Sequence, residues 1–222
     1  MFHVEHVELI GEVLAREGIR PPSPVVPLFR QYGEMLLDWN QRINLVSKND
    51  ESRLLTRHFL ESLGLIKVVP FPPGVRVMDL GSGAGFPGIP LKIVRPDLRM
   101  VLVESKRKKN LFLRNVVDTL GLKKTEAVLG RAEQLAETLG PFDFVVSRSV
   151  ASLVKLAGWS RAYLEESSGQ LVVIKGPGAQ QELVVLKSKA QGLGIKDVHV
   201  VAYNPFPEWI DLKKSVVISV RW

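Results

Sequence analysis

The sequence predicts an α/β protein built on a mostly parallel seven-stranded sheet, closed by an antiparallel C-terminal hairpin and preceded by a helical extension. Three observations predict it. From Val75 onward, short apolar runs alternate with helical patterns, as in a parallel sheet covered on both faces. The last two apolar runs are joined only by a short polar connection, Asn204 to Lys213, too short for a crossover helix, so they pair antiparallel. Before Val75 the periodicity is helical, and the stiff segment Pro70-Phe-Pro-Pro-Gly74 separates the two regimes. The chain therefore divides into a helical extension, 1–70, and a sheet domain, 71–222.

In the extension, Val4, Val7, Ile10, Val13 and Leu14 predict a helix over 4–18, broken by Arg20-Pro-Pro-Ser-Pro24. A second helix is expected from Val25 to Leu45, with Leu28, Phe29, Tyr32, Leu36, Leu37 and Trp39 on its apolar side. A third runs from Glu51 to Val68, with Asn49-Asp50 suited to capping it. In the sheet domain, strands are predicted near 75–80, 99–104, 125–129, 142–147, 169–175, 197–203 and 214–221. Helices fall near 88–95, 106–120, 131–139, 150–165 and 179–192.

The most informative stretch is Val75-Arg-Val-Met-Asp-Leu-Gly-Ser-Gly-Ala-Gly-Phe-Pro-Gly88. An apolar strand reaches Asp79, and Gly81, Gly83 and Gly85 follow at alternate positions. Glycine serves where the backbone must turn with positive φ or let a ligand approach closely. A strand, a glycine loop and a helix in that order place the ligand at the carboxyl edge of a parallel sheet. Glu104 closes the next apolar run, Met100-Val-Leu-Val103, where a carboxylate can accept hydrogen bonds from both ribose hydroxyls. The ligand is thus an adenosine compound. Gly83-Ala-Gly-Phe-Pro-Gly88 also satisfies G-x-G-x-x-G, a weak pattern by itself. Asp79 would sit beside a pyrophosphate, and Pro87 removes an N–H from the turn that should cradle it. S-adenosyl-L-methionine, with ammonium and sulfonium groups and no phosphate, tolerates Asp79. The C-terminal hairpin points the same way, to a Rossmann-like class I S-adenosylmethionine-dependent methyltransferase sheet, because a dinucleotide dehydrogenase sheet ends parallel. A nucleotide, or a glycine turn that binds nothing, remains the alternative.

Composition bounds the partners. The net charge of +7 is uneven: residues 1–70 hold 8 Lys/Arg against 9 Asp/Glu, and residues 71–222 hold 22 against 14. A basic domain calls for a polyanion, RNA or DNA ahead of membrane; the bland alternative is a surface with surplus lysine. Lys106-Arg-Lys-Lys109 opposes a helix dipole at its N-terminus, which phosphates nearby would offset. No apolar run reaches the ~18 residues of a membrane span, and the acidic N-terminus does not read as a signal peptide. The absence of cysteine fits a cytoplasmic protein, removes thiolate metal sites and argues against pyrimidine C5 methylation, which needs a cysteine nucleophile. With only four His besides, no metal is expected. A monomer is expected too, with no membrane partner.

Further ligand contacts should follow the third and fourth strands. Val128-Leu-Gly-Arg-Ala-Glu133 can hold an adenine by backbone contact, although it also reads as an ordinary turn. Phe142-Asp-Phe-Val-Val-Ser-Arg-Ser-Val150 brings Arg148 to the pocket edge, as a ligand or base contact or as a surface arginine. Ser147-Arg-Ser149 supplies none of the acceptors that exocyclic-amine methylation commonly uses, and Asn204-Pro-Phe-Pro207 reads as a turn. An acceptor with an exposed lone pair, such as guanine N7, needs no general base, only in-line alignment. Upstream, Trp39-Asn-Gln-Arg-Ile-Asn-Leu45, with Asn44, and Arg57-His-Phe-Leu-Glu-Ser62 mix polar groups into apolar helices. His58 is a core histidine, a capping residue or a substrate contact; Lys175, ending the fifth strand before Gly-Pro-Gly178, is placed to face RNA phosphate.

Taken together, Trp39-Asn-x-x-Ile-Asn-Leu, Arg57-His-Phe-Leu-Glu-Ser-Leu, Met78-Asp-Leu-Gly-Ser-Gly-Ala-Gly-Phe-Pro-Gly-Ile-Pro, Gly130-Arg-Ala-Glu, Phe142-Asp-x-Val-x-Ser-Arg and Ile174-Lys-Gly-Pro resemble the glucose-inhibited division protein B family, the 16S rRNA guanine-N7 methyltransferases. The match runs from about Tyr32 to Lys175, and Phe-Pro-Gly-Ile-Pro after the glycine loop is its most specific part. The resemblance implies methylation of N7 of one guanine in the 530 loop of bacterial 16S rRNA, and leaves open naked rRNA, an assembly intermediate or the complete 30S subunit as its form. It implies donor contacts at Gly81 and Phe86, at Glu104, Ser105 and Lys106, at Ala132 and Glu133, and at Arg148, to which we assign the catalytic role.

Overall fold

Seven strands form one sheet in the order β3-β2-β1-β4-β5-β7-β6. They are β1 (Arg76–Leu80), β2 (Arg99–Glu104), β3 (Thr125–Leu129), β4 (Phe144–Arg148), β5 (Gln170–Lys175), β6 (Asp197–Ala202) and β7 (Val216–Arg221). The first five pair parallel. The last two form the expected hairpin, with β7 inserted antiparallel between β5 and β6. This computed structural model describes residues 4–222 except Ser149, Ser167, Asp211, Lys213 and Lys214, and no side chains before Val7. Ser149, Asp211, Lys213 and Lys214, which belong to segments read from the sequence above, therefore lie outside the described residues.

The extension contributes α1 (Val4–Arg16), α2 (Val26–Asn40), α3 (Lys48–Glu51), a π-helical turn (Leu54–Leu60), α4 (Glu61–Leu63) and α5 (Leu65–Val68). Between strands lie α6 (Gly88–Val94), α7 (Arg107–Thr119), a 3₁₀ turn (Ala132–Gln134), α8 (Ala136–Leu139), α9 (Leu153–Arg161) and α10 (Ala179–Lys189). Alternate residues of β2 enter two cores: Met100 and Leu102 join the one under α1, α2, α6 and α7, and Val101 and Val103 join the one under α9 and α10. The first core runs without interruption from Val7 to Val217, so the extension and the sheet share it. Among the described residues no helix is long and apolar enough to cross a membrane.

The helix expected over 131–139 is instead the 3₁₀ turn followed by the separate short α8, and two helices of the extension differ from the sequence expectation for local reasons. The second stops at Asn40 instead of Leu45, because the Asn40 amide oxygen accepts the N–H groups of Leu45 (2.8 Å) and Val46 (3.0 Å) and turns the chain. The third is not one helix from Glu51 to Val68. It starts earlier, at a cap made by Ser47, whose hydroxyl accepts the Asp50 N–H at 3.2 Å, and not at Asn49-Asp50. It then widens into the π turn. That insertion brings Arg57, His58 and Glu61 to the sheet edge, and π turns recur at functional sites.

Candidate active site

The glycine loop is fastened to the neighbouring strand before any ligand arrives. The Gly81 and Ser82 N–H groups donate to the Val103 carbonyl at 2.9 and 3.0 Å. The Glu104 carboxylate accepts the Gly83 N–H (3.0 Å) through one oxygen and the Lys106 N–H (2.7 Å) through the other. The oxygen that accepts the Lys106 N–H is also approached by the Ser105 hydroxyl at 3.5 Å, and the other keeps a second lone pair for a ligand hydroxyl. Gly83, at φ +59°, has open space where a Cβ would stand, with only the Gly81 carbonyl within 3.9 Å. A ligand can therefore lie against its backbone. These residues fit the ribose and methionine portions of S-adenosylmethionine.

Two expected donor contacts take other tasks. Gly85 also has positive φ, but the place of its Cβ is filled by Ile89 Cδ1 and the Tyr32 hydroxyl. It lets α2 and α6 approach the loop. Asp79 does not face the cleft. It is fully buried behind the loop, where one carboxylate oxygen accepts the Gly88 N–H at 2.9 Å and the other has no partner among the described residues. Burial pushes its pKa up to about 7 against the pull of the Gly88 N–H.

Opposite the loop, Arg148 at the end of β4 meets the helical layer. Its guanidinium donates to Glu61 (2.6 Å), to the Arg57 carbonyl (3.2 Å) and, through Nη2, to His58 Nδ1 (2.7 Å). It lies 4.9 Å from the centre of the Phe86 ring, on which His58 also stacks at 4.8 Å and 15°. An arginine only donates, so His58 accepts at Nδ1 and carries its proton on Nε2. Burial first, and the Arg148 charge second, lower the His58 pKa to about 3. Tyr32 ties the same layer to the loop by donating to the Ala84 carbonyl at 2.5 Å.

A cleft of about 1110 Å³ opens between these groups. Of the residues expected from sequence, it brings together Gly81, Gly83, Phe86, Glu104, Ser105, Lys106, Arg148 and His58. Asn44 is exposed outside it. Ala132 and Glu133 also stand outside its walls, on the 3₁₀ turn, where Tyr163 donates to the Ala132 carbonyl. Lys175 turns inward: it is buried and donates to the Ala151 carbonyl (2.6 Å) and to Glu182 (3.0 Å), which places it away from phosphate. Sequence reasoning singled out the segment that begins at Arg57 without giving Arg57 a task, and missed Arg53; both join Lys106 and Lys109 as cations on the walls. The unforeseen Trp209, Ile210, Leu212 and Ser215 of the β6–β7 connection add further lining. The apolar content of that connection was the available signal.

Sheet order, terminal hairpin and glycine-loop cleft together define the class I S-adenosylmethionine-dependent methyltransferase fold. Solved structures agree: a precorrin-6y C5,15-methyltransferase from Geobacter metallireducens superposes with a TM-score of 0.56 at 16% identity, over 81% of this chain and 90% of that one. Aeropyrum pernix fibrillarin superposes at 0.53 and 15%, over 74% of each. The chain belongs to the rRNA small subunit methyltransferase G family, whose model matches residues 26–206. Among relatives named ribosomal RNA small subunit methyltransferase G, that of Moorella thermoacetica is 40% identical over 75% of this chain and 70% of its own length. That of Pelotomaculum thermopropionicum is 38% identical over 84% and 79%.

Proposed function

We infer that the protein transfers the methyl group of S-adenosylmethionine to N7 of a guanine in bacterial 16S rRNA, in the 530 loop. Family membership supports the donor and the small-subunit rRNA. The observation that carries the choice of atom is the state of the polar groups lining the cleft. Glu61 is paired to Arg148, Asp50 to Arg57 at 3.2 Å, and Glu104 to two backbone N–H groups, while the His58 Nδ1 lone pair is taken by Arg148. Such a site is suited to an acceptor that already presents its lone pair, as guanine N7 does in the major-groove pattern. The loop and Glu104 then hold the donor, and the Arg148–Phe86–His58 group walls the methyl-transfer region. Rate comes from alignment of sulfonium and nitrogen, and the cations bind the flanking phosphates. The test is transfer of labelled methyl to 30S particles or deproteinised 16S rRNA, followed by nuclease digestion and mass spectrometry. The expected product is 7-methylguanosine in the 530 loop; a different modified nucleoside refutes the reading.

A further inference from the structure

We propose that Trp209, outside the stretch matched by the family model, is a stacking platform for a base of the RNA substrate, and that α1 holds it in place. The inference rests on the rRNA methyltransferase reading. The cleft, at about 1110 Å³, exceeds the ~300–1,000 Å³ of a pocket for one small ligand. The loop side accounts for the donor. The remaining wall includes Trp209, Ile210 and Leu212 from the β6–β7 connection and Leu45 and Val46 from the turn after α2, with Arg53 and Arg57 beside them. An apolar wall with an aromatic ring among cations is the chemistry that takes up an unstacked base and its phosphates. A base whose ring atom is methylated must leave its neighbours far enough to meet the donor, so the same cleft has to hold it.

The ring is held from outside the cleft. The Arg16 guanidinium of α1 lies 5.1 Å from the Trp209 ring centre, and Arg16 also pairs with Glu208 at 3.8 Å. Lys67 bridges Glu17 (2.5 Å) and the Pro205 carbonyl (2.7 Å), binding the end of α1 and the β6–β7 connection to α5. Tyr203 donates to the Glu61 carbonyl, so the connection is anchored beside the Arg148 cluster as well. The family model covers neither α1 nor Trp209, yet the fold brings them together at the cleft.

The test compares Trp209→Ala, Trp209→Phe and Arg16→Ala on whichever of 30S particles and naked 16S rRNA the wild type methylates. Trp209→Ala should raise KM for RNA roughly 5- to 150-fold, the range for loss of one base–aromatic stack, with the dissociation constant for S-adenosylmethionine unchanged. Trp209→Phe should recover to within about threefold of wild type, and Arg16→Ala should fall between them. An unchanged KM in Trp209→Ala, or no recovery in Trp209→Phe, overturns the platform. Should Trp209→Ala fail to fold, the fluorescence quenching that RNA causes in wild type and in Trp209→Phe decides: equal quenching refutes the proposal. Absence of methyl transfer by the wild type itself would refute the enzyme reading instead.

Discussion

Replacing Arg148 tests whether the site is held together by its ion pair. Arg148 and Glu61 have side chains only 13% and 12% exposed, so solvent screens the pair weakly. Arg148→Ala leaves the Glu61 carboxylate without its cation, strips His58 Nδ1 and the Arg57 carbonyl of donors, and uncovers the Phe86 ring. Breaking a largely buried pair from one side costs about 3 kcal/mol. For a chain of this length that corresponds to a fall in Tm of roughly 6–12 °C. Glu61→Ala should cost a similar amount by stranding the guanidinium. The double variant should cost less than the sum by ~1–3 kcal/mol, because the second change removes the group that the first left unpaired. Circular-dichroism melts of the four proteins measure this. Methyl transfer should be lost in Arg148→Ala and strongly reduced in Arg148→Lys, which keeps the charge but not the planar fork over Phe86. An Arg148→Ala melt within about 2 °C of wild type, or strict additivity, would refute the coupling.

Other predictions follow from single contacts. Asp79 has a folded pKa of about 7, raised above its ordinary value of 3.8, so its stabilising contribution is full below about pH 4 and is lost as pH rises through 7. Asp79→Asn, which still accepts the Gly88 N–H, should therefore gain on wild type between pH 5 and pH 8 in urea unfolding without donor; parallel profiles would contradict this. Gly83→Val fills the open side of the loop at a positive-φ position, and calorimetry should show S-adenosylmethionine affinity lowered at least ~10-fold, a loss of about 1.4 kcal/mol or more. Lys175→Ala should cost about 2 kcal/mol of stability through its lost hydrogen bonds while the salt dependence of RNA binding stays unchanged; a slope reduced by about 1 would make Lys175 a phosphate contact after all.

The glycine-loop half of this cleft was legible because it is written in contiguous backbone chemistry. A strand, spaced glycines and a carboxylate ending the next strand occupy neighbouring stretches, and the parallel register Asp79↔Leu102 and Leu80↔Val103 sets them side by side. Periodicity likewise located all seven strands, with bounds differing by at most two residues. Helix ends were less legible. Asn40 and Ser47 terminate and start helices through side-chain bonds to particular N–H groups, and the π turn inserts a residue that apolar spacing does not register. Asp79 shows a related limit: alternation along β1 gives its face but not that α6 covers it.

The opposite half was legible in single residues, Arg148 and His58, but not in how they pair, for a physical reason. It is made of pairs distant in sequence: Arg148 meets Glu61 and His58 across 87 and 90 residues, Tyr32 reaches Ala84 across 52, and Tyr203 reaches Glu61 across 142. None leaves a local pattern, and each appears only when the extension packs on the sheet. The shared core from Val7 to Val217 makes that packing part of the folding of the domain itself. A helical layer that both completes the core and supplies Arg53, Arg57, His58 and Glu61 to the cleft links stability to the shape of the cleft. Weakening α1 should therefore disturb the Arg148 cluster and the Trp209 wall before it disturbs the glycine loop, whose own bonds to Val103 and Glu104 lie wholly within the sheet domain.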